Sequence, residues 1–178
     1  MVQTQRVKAF LQAVQLQLAG GCLRAEWTWR GLFQCLQCRV DAGFDRYRRP
    51  LWLRADAARA WLAMQAAALG EGIVLEAISG YRSHDYQLGI FERKLARGLH
   101  VDEILNVNAA PGYSEHHSGL ALDIGTPGEP PAEESFEATQ AFDWLSRHAA
   151  AHGFVMSYPR DNPHGIVYEP WHWRFQPA

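Results

Sequence analysis

With 178 residues, 48% of them hydrophobic and 20% charged, the chain has enough apolar matter for one globular domain with a real core and too little length for two comfortable ones. The formal net charge of −2 and the lack of any Lys/Arg run argue against nucleic acid or an anionic membrane as partner. No stretch approaches the roughly 20 apolar residues of a membrane span. Gln12, Gln15 and Gln17 break up the N-terminal apolar run that a signal peptide would need, so a cytoplasmic protein is expected.

Taken in chain order, Val7, Phe10, Leu11, Val14 and Leu18 have the three-to-four spacing of an amphipathic helix over 3–18, ended by Gly20-Gly21. Cys22, Cys35 and Cys38 are an odd number of thiols, and the CxxC pair lacks the second pair of a structural zinc site. They read as buried and reduced. Residues 22–50, rich in Trp, Phe, Tyr and Arg, read as short strands and loops that elaborate one side of the core. Arg46, Arg48 and Arg49 read as a solvated turn before Pro50.

From Asp56, a helix cap, the pattern Ala60, Trp61, Met64, Ala67, Ala68 predicts a helix that Gly70 stops. Residues 73–78 predict a strand that delivers Ser79-Gly80-Tyr81-Arg82-Ser83 at its end. A second helix is expected over 85–97, with Leu88, Phe91 and Leu95 on one face. A loop is expected over 101–113, from Asn106, Asn108, Pro111 and Gly112. Alternation of Leu120, Leu122 and Ile124 predicts a strand with Asp123 on its opposite face. A helix over about 138–152 buries Phe142, Leu145 and Ala149, and Gly153 ends it. A strand at 154–158 and the segment leading into Glu169-Pro170-Trp171-His172 complete an α+β domain, a small antiparallel sheet flanked by helices.

Chemistry concentrates in two places. Ser114 to Asp123 offers the imidazole of His116 and the carboxylate of Asp123, with the small Gly119 and Ala121 between them, and the C-terminal segment adds His172 and Glu169. Two His and one Asp are three ligands of the kind Zn²⁺ accepts, with one position left open for water, and Glu169 is then free to act as a base. Spacing alone leaves the alternative open that these are satisfied core or surface groups. His148 and His152 have the spacing of a helical metal pair, but they read as charges in a last turn that suit the helix dipole.

Three ordered motifs carry a resemblance. Ser79-Gly80-Tyr81-Arg82-Ser83, Ser-x-His-x-x-Gly-x-Ala-x-Asp at 114–123, and Glu-Pro-Trp-His-Trp-Arg at 169–174 resemble the signatures of VanY-type D-alanyl-D-alanine carboxypeptidases. These are zinc peptidases that share a fold with the hedgehog signalling domain. The likeness runs from about Leu53 to Phe175; residues 1–50 lie outside it. It implies one Zn²⁺ per chain, held by His116, Asp123 and His172. It also implies Glu169 as the general base, which takes a proton from the attacking water and returns it to the leaving amine. Arg82 would face the scissile carbonyl, where a fixed donor is typically worth about 10²–10³ in rate. Gln87, Ser83 and Ser114 match positions that hold the terminal D-alanine and its carboxylate, and Trp171 and Tyr81 would wall the pocket.

Two departures stand out: Ser157, where many relatives carry a basic residue before Tyr-Pro, and His164-Gly165-Ile166, where many have Thr-Gly. Both affect the distal substrate subsites. The resemblance implies release of C-terminal D-alanine from a peptidoglycan stem peptide or muropeptide. An L,D-carboxypeptidase trimming tetrapeptides in cell-wall recycling is expected, because cytosolic D,D-activity would threaten pentapeptide precursors. The competing readings are a D,D-carboxypeptidase, a lysin-like endopeptidase and a non-catalytic zinc-bearing binding module.

Overall fold

A computed structural model describes residues 39–176, all within the unit Cys35–Ala178. The helix expected over 3–18 and all three cysteines lie outside the described residues. The first described element is a hairpin of β1 (Arg39–Phe44) and β2 (Pro50–Arg54), paired antiparallel. Its turn is held by the buried Asp45, whose Oδ1 accepts from the amides of Tyr47 and Arg49 and whose Oδ2 accepts from Arg49 Nε at 2.6 Å. The arginines expected in a solvated turn partly fasten it instead. Arg49 Nη2 donates to the Ile78 carbonyl, and Arg46 Nη1 to that of Glu129.

Helix α1 (Ala55–Gly70) buries Ala57, Ala58, Trp61, Met64 and Ala68. Its N-cap is Arg54 rather than Asp56, which stands in the first turn and pairs with the Arg54 guanidinium. Negative charge suits that turn, where the helix amides point outward. Strand β3 covers Glu76–Ser79, shorter than the expected 73–78, and α2 covers His84–Ala96 with the Ser83 hydroxyl accepting from the Tyr86 amide. Residues Val101–Val107 form a helix, α3, and not the expected loop. Asp102 and Glu103 in its first turn outweigh the Asn residues, and Glu103 reaches back to accept from the His100 amide at 2.7 Å.

After a 3₁₀ turn at Glu115–Ser118 comes β4 (Ala121–Gly125), then a 3₁₀ turn at Glu134–Ala138 and α4 (Gln140–His148), which a further 3₁₀ turn extends to His152. Strands β5 (Phe154–Met156) and β6 (His172–Phe175) close the set. The second sheet runs β3-β4-β6-β5 with every neighbouring pair antiparallel. The two sheets and their helices are the expected α+β class.

Alternation along the central strands divides the sheet. Leu122, Ile124 and Trp173 join the apolar core with Trp61, Met64, Trp144 and Leu145, whereas Asp123 and His172, paired across β4 and β6, point the other way. Every residue of β4 is buried, so both faces of this strand are covered. Residues 39–50, read as outside the core, contribute Ala42 to it.

Candidate metal centre and active site

The Ser114–Asp123 stretch bends before it becomes a strand. His116 lies in the 3₁₀ turn, and Gly119 takes the left-handed conformation (φ +71°) that lets the chain leave the turn and enter β4. His116 Nδ1 donates to the Gly80 carbonyl at 2.6 Å. Its Nε2 is buried with no hydrogen-bond partner and lies 3.3 Å from Asp123 Oδ1. On the neighbouring strand, His172 Nδ1 lies 3.0 Å from the same carboxylate oxygen.

One ligand atom from each of His116, Asp123 and His172 therefore falls within 4.8 Å of the others, all in buried side chains. A buried polar atom left unpaired costs about 1–3 kcal/mol, so the bare His116 Nε2 calls for a partner. A carbonyl that fixes the far nitrogen of an imidazole is the usual support of a metal-ligating His. Two imidazoles and one carboxylate are also the donor chemistry zinc takes in sites that keep an open position. The residues fit a bound metal ion.

The electrostatics agree. Burial, and after it Arg82, press His116 down to about 4, which keeps its lone pair available. Burial would raise Asp123, but His116, then His172 and Arg82, hold it well below the usual carboxylate range. Burial would lower His172, but its hydrogen bonds to Asp123 and Glu115 bring it up to about 9. Carboxylates that favour a positive imidazole here also favour a cation between them.

Glu169 lies just before β6, with Oε2 3.8 Å from His172 Nδ1, and burial pushes its carboxyl up to about 7. Arg82 leaves the end of β3. Its Nη2 donates to Asp123 Oδ2 at 3.2 Å and its Nη1 to Gln87 Oε1 at 3.3 Å. Its buried Nε has no hydrogen-bond partner. Gln87, 1% exposed, passes the restraint on by donating Nε2 to the Ala109 carbonyl at 2.8 Å. The backbone around Arg82 is tied to the metal turn as well: its amide donates to the His116 carbonyl, and His117 Nδ1 donates to its carbonyl at 2.7 Å.

A small cavity of about 30 Å³ is lined by Arg82, Gln87, Ser114, His116, Glu169 and His172, together with Asn108, Ala109 and Tyr158. Six side chains expected to act at one site thus share it, and Asp123 lies beneath them. Ser83 and Tyr81 do not line it. They line a larger cavity of about 270 Å³ with Trp52 and Tyr86, which Arg82 also borders. Trp171 packs partly against the apolar core, and its carbonyl accepts from the Ile124 amide.

Sequence reading assigns no role to Tyr158 or Glu115 of the site, and notes Ser157 only as a departure from the family pattern. Tyr158 packs against His172 with ring centroids 4.7 Å apart and the planes tilted by 38°. Glu115 contacts His172 Nε2 at 3.0 Å, and Ser157 supports Glu115. Glu115 had a signal, being the residue next to a proposed ligand. Tyr158 had its place in the Tyr-Pro that ends a strand, and Ser157 its place just before it.

Residues 50–178 match the family model described as VanY, D-alanyl-D-alanine carboxypeptidase. The chain belongs to this family. A putative carboxypeptidase of Bacillus subtilis (strain 168), YodJ, is 36% identical over 141 residues, which are 76% of this chain and 50% of YodJ. This VanY-family chain thus spans about half the length of that relative. Among solved structures, the LdcB LD-carboxypeptidase, whose structure concerns peptidoglycan recognition, superposes with a TM-score of 0.70 at 32% identity, over 78% of this chain and 68% of its own. A mutant of the VanY D,D-pentapeptidase of a VanB-type resistance cassette, in complex with Zn(II), gives a TM-score of 0.59 at 26% identity, over 70% of this chain and 73% of its own. The expected family and fold are those found.

Proposed function

We propose that this VanY-family chain is a zinc carboxypeptidase that releases C-terminal D-alanine from peptidoglycan stem peptides. One observation carries the reading: His116, Asp123 and His172 converge within 4.8 Å, and Arg82 and Glu169 line the same cavity. A zinc ion held by the three would supply Lewis acidity and make a water more acidic. Glu169, with a carboxyl near neutrality, takes the proton of the water that attacks the carbonyl carbon and returns it to the amine as the C–N bond breaks. Arg82, fixed through Gln87 and Asp123, offers its guanidinium where negative charge grows on the carbonyl oxygen. Gln87 and Ser114 line the space for the terminal residue.

Within this activity we assign L,D-specificity, cleavage of the bond between the L-centre and D-alanine in a tetrapeptide. The likeness to the LdcB LD-carboxypeptidase, at a TM-score of 0.70 and 32% identity, supports it. Zinc-loaded protein is given a tetrapeptide ending in L-centre–D-Ala, a pentapeptide ending in D-Ala-D-Ala, and intact sacculi. D-Alanine released faster from the tetrapeptide is the expected result. Preference for the pentapeptide overturns the L,D assignment, and larger fragments from sacculi without free D-alanine overturn the carboxypeptidase reading. A zinc-loaded protein that cleaves none of the three is a binding module.

A further inference from the structure

Among the described residues, Glu115 is the one acidic side chain around the triad for which the mechanism above has no use, and its contacts are specific. It sits in the 3₁₀ turn directly before His116, yet its side chain goes to the other imidazole: His172 Nε2 lies 3.0 Å from Glu115 Oε2. That same oxygen accepts from the Ser157 hydroxyl at 2.6 Å, and Oε1 lies 3.6 Å from Arg174 Nε. Ser157 follows β5 and Arg174 belongs to β6, so His172's own strand and the end of its neighbour β5 help fix the carboxylate.

The consequence follows from the donor count of imidazole. A neutral ring carries one N–H, and whichever nitrogen holds it cannot bind a metal. His172 faces a carboxylate at each nitrogen, Asp123 Oδ1 at Nδ1 and Glu115 Oε2 at Nε2, both at 3.0 Å. Only a ring that donates from Nε2 to Glu115 has a lone pair at Nδ1, the nitrogen that shares Asp123 Oδ1 with His116 Nε2. His116 is set the opposite way round, with Nδ1 donating to Gly80 and Nε2 bare. Two different supports thus turn two imidazoles so that their free nitrogens meet at Asp123.

We infer that Glu115, held by Ser157, is the positioning residue that selects the Nε2–H tautomer of His172 and aims Nδ1 at the metal. The inference rests on the metal reading proposed above.

Zinc affinity, measured by competition with a chromophoric chelator, and the visible absorption of the cobalt-substituted protein test it without reference to catalysis. Loss of an outer hydrogen-bond partner of a metal ligand typically weakens binding about 10–100-fold. Glu115→Gln should fall in that range with a shifted cobalt spectrum, and Ser157→Ala should weaken zinc less, in the same direction. Thermal unfolding of the metal-free proteins shows whether each variant folds; should Glu115→Gln fail to, Ser157→Ala carries the test. Parental affinity and an unshifted cobalt spectrum in a folded Glu115→Gln, or in Ser157→Ala where that stands alone, overturn the inference and leave the zinc reading intact. A parent protein that binds no zinc overturns both.

Discussion

The two faces of the β3-β4-β6-β5 sheet use the same strands for opposite ends. On one, Leu122 and Trp173 are cross-strand partners in an apolar core closed by α1 and α4. On the other, the next pair along, Asp123 and His172, faces two further carboxylates, a second imidazole and a guanidinium; Glu169 and His116 are buried, Glu115 and Arg82 half-buried. A one-residue step changes an apolar environment into one where charges are packed against each other. The core face is held by area removed from water, which is tolerant of detail. The site face must satisfy each polar atom, and among the described residues the two buried side-chain atoms left without hydrogen-bond partners, His116 Nε2 and Arg82 Nε, belong to groups proposed to serve zinc and substrate. Buried polar groups that are not fully paired mark where function sets the terms.

The largest effect should come from breaking the site face alone. Glu169→Gln keeps the shape of the side chain and removes its ability to take a proton. Loss of a positioned general base costs about 10²–10⁴ in rate. D-Alanine release should fall by that factor while zinc stoichiometry and the unfolding midpoint stay near parental. Retained full activity would remove Glu169 from the mechanism.

Next, Leu122→Ala breaks the core face one residue from a proposed ligand. Leu122 is fully buried, and such truncations typically destabilise by about 2–5 kcal/mol. Denaturant titration of the metal-free protein should show that loss, while the zinc affinity of the folded fraction changes little. A large fall in affinity without loss of stability would mean that the two faces are not separable. Arg82→Ala returns to the site face with a slightly smaller expectation. Activity should drop about 10²–10³-fold, chiefly in kcat, because the guanidinium acts where charge develops. A change confined to KM would make Arg82 a binding group for the ground state.

This division explains what the sequence made legible. Core elements announce themselves by periodicity: Trp61 and Met64 on α1, and Leu122 and Ile124 on β4, alternate or recur as their elements require. The triad was legible for a different reason, as residue types gathered in motifs; periodicity placed Asp123 on the face opposite Leu122 and said nothing of the two histidines. What stayed hidden depends on pairing between distant strands. Nothing local tells that Asp123 stands opposite His172, or that Ser157 comes within 2.6 Å of Glu115. Helix α3 was missed because two Asn and a nearby Pro weigh heavily in a short window, while its capping contact from Glu103 to the His100 amide belongs to the folded backbone. Ser83 and Tyr81 were assigned to the pocket by the resemblance; here they line the larger cavity, which also borders Arg82.

Gly119 is where the two faces meet, and it sharpens the comparison most finely. It holds the left-handed backbone (φ +71°) between His116 and Asp123, and its carbonyl accepts from the Arg54 amide at 2.9 Å, tying the hairpin to the site. A Cβ there would stand 3.0 Å from the Arg54 nitrogen, a backbone atom that cannot swing aside. The left-handed conformation alone costs a non-glycine residue roughly 1–2 kcal/mol. Gly119→Ala should therefore lower stability by at least about that much. Because the strain lies on the chain that joins two proposed ligands, zinc affinity should fall with it, unlike the case of Leu122→Ala. A variant that loses stability but binds zinc like the parent would show that β4 alone holds Asp123 in place, whatever the turn before it does.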